Sequence, residues 1–232
     1  MRFEPRLMRA TLLRRYQRFL AEVEVPGGER LVVHCPNTGA LTGCVEPGNV
    51  AWLSSSSNPR RKYRHTLQIV ETSDGHRVGI ESALANRLVE EALERGAIPE
   101  LPATAWAREP RVGESTRFDF GLTVASSPFY VEVKSVSWHV GRGRGAFPDA
   151  RSPRATRQLR ALTAARGEGV GAALFFCVQH DGVERVVPAD DIDPEFAGTL
   201  RIAADAGVAL IAYRCTLDAA EIRIVERVPV DL

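Results

Sequence analysis

Arg117-Phe118-Asp119-Phe120, followed shortly by Tyr130-Val131-Glu132-Val133-Lys134, decides how this chain is read. The two runs read as short strands joined by the turn-like stretch Ala125-Ser126-Ser127-Pro128. Side chains alternate faces along a strand, so Glu132 and Lys134 share one side while Val131 and Val133 pack on the other. Folding about the turn brings Asp119 close to Lys134 and within reach of Glu132. Two acids and an amine then converge on one face of a hairpin, a grouping suited to cutting phosphodiesters with a divalent metal. Asp119 and Glu132 are the candidate ligands for Mg²⁺ or Mn²⁺, hard cations that take oxygen donors and keep several waters. Lys134 is placed to orient or deprotonate the attacking water, or to neutralise charge on the phosphate. Val-Glu-Val-Lys also describes an ordinary solvated strand face carrying an ion pair. Asp119 tips the reading, because an acid flanked by Phe118 and Phe120 on a buried-looking strand is a poor solvated surface group.

The totals set the class. The chain has 232 residues, 44% of them hydrophobic and 25% charged, the profile of an ordinary soluble globular protein of one large domain or two small ones. A net charge of +1 excludes a global field that draws in polyanions, so any nucleic-acid site is a local patch. Arginine dominates the cations and lysine occurs only at Lys62 and Lys134, which hints that Lys134 needs an amine rather than a guanidinium. Cys35, Cys44, Cys177 and Cys215 form no C-x-x-C pair and no Cys/His cluster with zinc spacing. Cys177 lies in an apolar run and reads as core. With no signal peptide and no apolar run long enough to span a bilayer, a reduced, cytoplasmic protein without a membrane partner is expected.

The pattern changes along the chain. Residues 1–82 read as about five short strands punctuated by Pro26-Gly27-Gly28, Pro36-Asn37-Thr38-Gly39, Glu46-Pro47-Gly48-Asn49 and Ser73-Asp74-Gly75, which suits a small OB-fold-like β-barrel. Residues 83–95 switch to helical spacing at Leu84, Leu88, Val89, Ala92 and Leu93, with Ser82 as the expected N-cap and Gly96 at the C-cap glycine position. A second helix is expected from Ser152 to about Ala165 with Pro153 in its first turn, and a third over 194–206. Val170–Val178 and Val208–Tyr213 read as buried strands. Residues 83–232 therefore read as a three-layer α/β domain with a mixed central sheet.

Arg60-Arg61-Lys62-Tyr63-Arg64 is the densest basic run. Cations interleaved with an aromatic can track a nucleic-acid backbone and stack bases, although a charge run is often only a solvated loop. Arg14, Arg15 and Arg18 extend this patch in the reading, and Arg151, Arg154, Arg157 and Arg160 recur at a spacing that forms a basic ridge on a helix. His34-Cys35 invites a nucleophile pair, but adjacent strand residues face opposite ways, so a tight turn is the better reading, and its small residues could also present backbone N–H groups to an anion.

The same segments carry a family resemblance over nearly the full length. Arg18-Phe19-Leu20-Ala21, His34-Cys35-Pro36-Asn37-Thr38-Gly39, Glu46-Pro47-Gly48, Asn58-Pro59-Arg60-Arg61-Lys62-Tyr63, Asn86-Arg87-Leu88-Val89-Glu90-Glu91-Ala92-Leu93, Tyr130-Val131-Glu132-Val133-Lys134-Ser135-Val136, Phe147-Pro148-Asp149-Ala150 and Ile192-Asp193-Pro194 occur in this order. Together they resemble the sugar fermentation stimulation protein A family. The resemblance implies an N-terminal OB-like barrel and a restriction-endonuclease-like domain of the PD-(D/E)XK nuclease type, with DNA as partner and a regulatory role in sugar metabolism. It places the nuclease-type acids and lysine at Asp119, Glu132 and Lys134, and makes Glu90 or Glu91 a candidate further acid from the first helix. The chain departs from the family pattern at Pro153 (an acid elsewhere), Gln158 (a histidine elsewhere), Ser115-Thr116-Arg117 and Gly79-Ile80-Glu81-Ser82. Three functions follow as expectations: a metal-dependent DNA nuclease, a non-catalytic DNA-binding regulator on the same scaffold, and a sugar-phosphate or nucleotide-binding enzyme.

Overall fold

The computed structural model describes residues 1–112 and 116–232. Six strands come first: β1 (Met8–Tyr16), β2 (Leu20–Glu24), β3 (Arg30–His34), β4 (Val50–Ser55), β5 (His65–Glu71) and β6 (Arg77–Gly79). Their order is β3-β2-β1-β4-β5-β6, and a parallel contact of His34 with Thr66 joins β3 to β5. That contact closes strands β1–β5 into the expected OB-like barrel, with β6 extending β5. Leu12, Val23, Val33, Leu53, Leu67 and Val78 fill the interior at the inward-facing positions.

The second region runs α1 (Leu84–Glu94), β7 (Ala105–Arg108), β8 (Arg111–Val112), β9 (Thr116–Arg117), β10 (Phe120–Val124), β11 (Ser127–Val136), β12 (Trp138–His139), β13 (Arg144–Phe147), α2 (Pro153–Gly167), β14 (Gly171–Val178), β15 (Arg185–Pro188), α3 (Pro194–Asp205), β16 (Ala209–Leu217) and β17 (Ile222–Val228). The main sheet has the order β17-β16-β14-β11-β10-β7. Its centre, β11-β14-β16, is parallel and its flanks are antiparallel. The apolar run of β14 sends Ala172, Leu174, Phe176 and Val178 toward α2 and α3, while Ala173, Phe175 and Cys177 pack on the α1 side. Burial on both faces explains why that stretch is continuously apolar. The result is a three-layer α/β domain.

Local chemistry sets the helix ends. Gly96 has φ +60°, its N–H bonds Leu93, and the N–H of Ala97 bonds Ala92, so α1 ends in a Schellman turn as its glycine suggests. At the other end Ser82 does not cap α1; the N-cap is Ala83, without a side-chain hydrogen bond. Ser152 accepts from the N–H of Ala155 to start α2, with Pro153 behind it, and Asp193 accepts from Phe196 N–H to start α3. The turn between β10 and β11 is tighter than expected. It holds only Ala125 and Ser126, both at positive φ, and Ser127 and Pro128 already belong to β11.

The first seven residues do not join the barrel. Phe3 N–H donates to Ala220 O at 2.7 Å, Leu7 N–H to Ala219 O at 2.8 Å, and Ile222 N–H to Met1 O at 2.9 Å. Phe3 and Leu7 are buried among Leu88, Val89 and Ile224 of the second region. The two regions also meet at β6, where Gly79 N–H donates to Gln179 O at 2.8 Å. Beside this seam His76, His139 and His180 group together with ring centroids 5.1–5.8 Å apart. Among the described residues no helix is long and apolar enough to cross a membrane.

Candidate functional site

Asp119 lies at the bend just before β10. There the chain leaves β11 and pairs outward instead: Glu109 N–H donates to Asp119 O at 3.0 Å, and Phe118 N–H to Pro110 O at 3.3 Å. The peeled strand frees the N–H of Val133, and the Asp119 carboxylate takes it at 2.8 Å through Oδ2. Phe118 and Phe120 on either side are buried in opposite core layers, which fixes the bend. Asp119 Oδ1 accepts from Asn86 Nδ2 of α1 at 2.7 Å.

Glu132 projects from β11 into the same space, its side chain about 3% exposed. Lys134, two residues on and thus on the same face, donates to Glu132 Oε1 at 2.8 Å and to Gln158 Oε1 of α2 at 2.8 Å. Lys134 therefore pairs with Glu132 rather than with Asp119. Burial pushes the Glu132 carboxyl up to about 7; Lys134 pulls against that rise, and the neighbouring Asp119 adds to it. Glu132 Oε2 is buried without a hydrogen-bond partner. A carboxylate oxygen so placed is satisfied by a proton or by a cation. A divalent metal fits this donor set: two adjacent carboxylates, one of them with an open, desolvated oxygen. Among the described residues no group of three His, Cys, Asp or Glu side chains is arranged to hold a metal alone, so such an ion would keep waters in its remaining positions.

The other expected acids sit elsewhere. Glu90 pairs with Arg108 at 3.2 Å and Glu91 with the N-terminal amine at 2.5 Å, and neither lines the cleft. Glu90 shares a helix face with Asn86 but sits one turn, about 5.4 Å, further along, where it meets Arg108, so Asn86 is the α1 residue that reaches Asp119. Asn86 and Gln158 were both visible as motif positions, but their polar amides carry no charge signal that would mark them as site residues.

Asp119, Glu132 and Lys134 line a cleft of about 500 Å³ between the barrel and the second region. Asn37, Thr38 and Gly39 form its barrel wall, and Trp138, Phe147, Asp149 and Arg154 line it from the second region. Asp149 is an acid that sequence reasoning passed over. The His34–Gly39 stretch is thus a wall of the site and not a nucleophile: Cys35 is fully buried, and burial raises its thiol above the usual range. The N–H of Gly39 is already taken by Asn37 Oδ1 at 2.7 Å.

The basic residues divide. Arg15 donates to the carbonyls of Arg18, Asn37, Gly39 and Ala40 and so serves the barrel loop, while Arg14 pairs with Glu22. Arg18, Arg60, Arg61 and Lys62 are exposed, with Tyr63 half-buried beneath Lys62 at 5.4 Å from its ring centroid. Arg61 also donates to Thr66 at 3.0 Å. Thr66 lies next to His34, so the basic loop returns to the barrel where the 35–40 loop leaves it. On α2, Arg154 reaches the cleft and Arg160 pairs with Glu195. Ser115 lies outside the described residues.

A barrel of OB type followed by a mixed α/β/α sheet, with a two-carboxylate, one-lysine cleft at their seam, defines a two-domain class. The family model described as "SfsA N-terminal OB domain" matches residues 13–80, and "Sugar fermentation stimulation protein RE domain" matches 83–221. The chain belongs to the sugar fermentation stimulation protein family. It is 49% identical to the sugar fermentation stimulation protein homolog of Teredinibacter turnerae and 45% identical to that of Pseudomonas paraeruginosa, each over 100% of both chains. It is also similar to the solved structure described as Pyrococcus furiosus SfsA in complex with Ca²⁺, with TM-score 0.87 and 28% identity over 100% of this chain and 98% of that one.

Proposed function

We propose that this chain is a cytoplasmic DNA-binding protein whose cleft cuts phosphodiesters with a bound divalent metal. The observation that carries the reading is Glu132: a buried carboxyl with an unpartnered oxygen, set between Asp119 and the ammonium of Lys134. Asp119 and Glu132 would hold Mg²⁺ or Mn²⁺, which supplies an activated water and charge compensation at the phosphate. Asn86 and the Val133 N–H hold Asp119 in position. Lys134, steadied by Gln158, keeps its ammonium at the cleft floor, where it orients water or offsets negative charge on the phosphate. Arg18, Arg60, Arg61, Lys62 and Tyr63 would bind the DNA backbone on the barrel side. The Ca²⁺ in the description of the Pyrococcus furiosus relative supports a hard-cation site.

The test is incubation of labelled DNA with the protein in Mg²⁺, Mn²⁺ or EDTA, with Glu132→Ala alongside. Metal-dependent cleavage lost in the variant is the expected result. One observation favours a second reading: α1 offers the neutral Asn86 where a third acid was expected. Binding without cleavage in every metal would establish the non-catalytic regulator instead.

A further inference from the structure

The barrel loop comes close to the second region beside the cleft, and that approach bears on which DNA can reach the acids. On the barrel side the Arg15 guanidinium gathers the carbonyls of Arg18, Asn37, Gly39 and Ala40 at 2.6–3.2 Å. Asn37 ties the same loop inward, donating to Ile80 O at 2.9 Å while accepting from Gly39 N–H. The loop then comes close to the second region at two places. A Cβ on Gly39 would stand 3.0 Å from Asp149 Oδ2, and the Cys44 thiol lies 3.4 Å from Ser137 O. Both Asp149 and Ser137 line the cleft. These hydrogen bonds hold the loop in its own shape on the barrel.

Glu132 lies at the bottom of this space, about 3% exposed. A duplex holds both strands on one helix, with a major groove about 12 Å wide and a minor groove about 6 Å wide between its phosphate rows. Glu132 is nearly closed to solvent in a cleft where Gly39 comes close to Asp149, a setting that a single strand enters more readily than a paired helix. An unpaired strand can thread the space one nucleotide at a time. Trp138 and Phe147 offer aromatic surface to an unstacked base, and Arg154 offers a guanidinium to the backbone beside it. Phe147 is held edge-on by Phe176 and Phe196, which leaves Trp138 as the more adaptable platform.

We infer that the cleft takes unpaired DNA, with Trp138 stacking a base and the Asn37–Gly39 loop excluding the duplex. This rests on the nuclease reading above. The experiment compares a fluorescent oligothymidylate with a blunt hairpin duplex of equal length, in Mg²⁺ for cleavage and in Ca²⁺ for binding. Single-strand cleavage at least tenfold faster than duplex cleavage is expected. Trp138→Ala should weaken oligothymidylate binding by roughly 5- to 100-fold, the range for losing one base-stacking contact, while Trp138→Phe retains most of it. Both variants should keep the wild-type unfolding midpoint. Equal cleavage of the duplex interior, or unchanged oligothymidylate affinity in a folded Trp138→Ala, overturns the inference and leaves the nuclease reading standing. Tight single-strand binding sensitive to Trp138, without cleavage in any metal, upholds the strand assignment and removes the nuclease reading alone.

Discussion

Asn86 donates its amide to Asp119 at 2.7 Å, so the first helix of the second domain steadies a carboxylate instead of adding one. The amide leaves only one side of Asp119 Oδ1 engaged and adds no negative charge beside Glu132. Replacing Asn86 by Ala removes that support without touching the cation. Divalent-metal affinity is expected to fall by roughly 10- to 100-fold, the usual cost of losing a partner behind a metal ligand. Titration calorimetry with Mn²⁺ measures it, and an unchanged affinity would show that Val133 N–H alone fixes Asp119.

Glu132→Gln preserves shape and removes the charge that burial disfavours. The wild type should gain stability on adding metal by mass action, about 2.7 kcal/mol when the ion stands at 100 times its dissociation constant. The Gln variant should show no such gain while its metal-free unfolding midpoint stays at or above the wild type. Thermal scans with EDTA and with Mg²⁺ separate the two effects. Lys134→Arg should not restore cleavage lost in Lys134→Ala, because the planar guanidinium cannot sit between Glu132 and Gln158 as a compact ammonium does.

His180 gives the fold an acid limit. Burial is the main cause of its pKa falling to about 4, with His139 and His76 lowering it further and Asp74 opposing them. Asp181 also faces this group, at 3.3 Å from His76, and the N–H of Gly182 donates to His180 Nδ1 at 3.1 Å. The unfolded chain takes up a proton near 6.5 that the folded chain refuses until about 4, so stability falls as pH drops through that window. By pH 5 the loss from this group is roughly 2 kcal/mol. Urea unfolding at pH 7.5 and pH 5 tests it, and a His180→Gln variant should show a smaller drop.

Gly79 meets Gln179 closely enough that a Cβ would stand 2.7 Å from the amide oxygen and 3.1 Å from the Gln179 Cβ. Gly79→Ala should therefore cost about 1–3 kcal/mol by overpacking. Pairing it with Gln179→Ala should recover part of that loss, and a double-mutant cycle on unfolding free energies reads the coupling. Simple additivity would mean that the seam adjusts elsewhere.

The barrel and the layered domain were legible because their signals are periodic and local. Turn residues punctuate the first 80 positions, Leu84 to Ala92 repeat at helical spacing, and β14 is continuously apolar. The hairpin with Asp119, Glu132 and Lys134 was legible because period-two alternation fixes which side chains share a face. What escaped depends on contacts far apart in sequence. Nothing local distinguishes Asn86 from Glu90 as the residue that meets β10, or marks Gln158 as the partner of Lys134. Asp149 lines the cleft close to Gly39 of the barrel loop, a neighbour remote in sequence. Arg15 looks like part of a basic patch until its guanidinium is seen to hold four carbonyls, and the first seven residues look like barrel until their partners at 219–222 appear.

That last feature changes what counts as a separable piece. Because Phe3 and Leu7 are buried in the core of the second region, covalent order and cooperative unit do not coincide. A protease cut between Ile80 and Leu84 would nick the backbone without releasing either half, since the leading segment still laces the barrel to Ala219, Ala220 and Ile222. A fragment beginning at residue 83, by contrast, would lack its own apolar plug and present a raw hydrophobic socket to its neighbours.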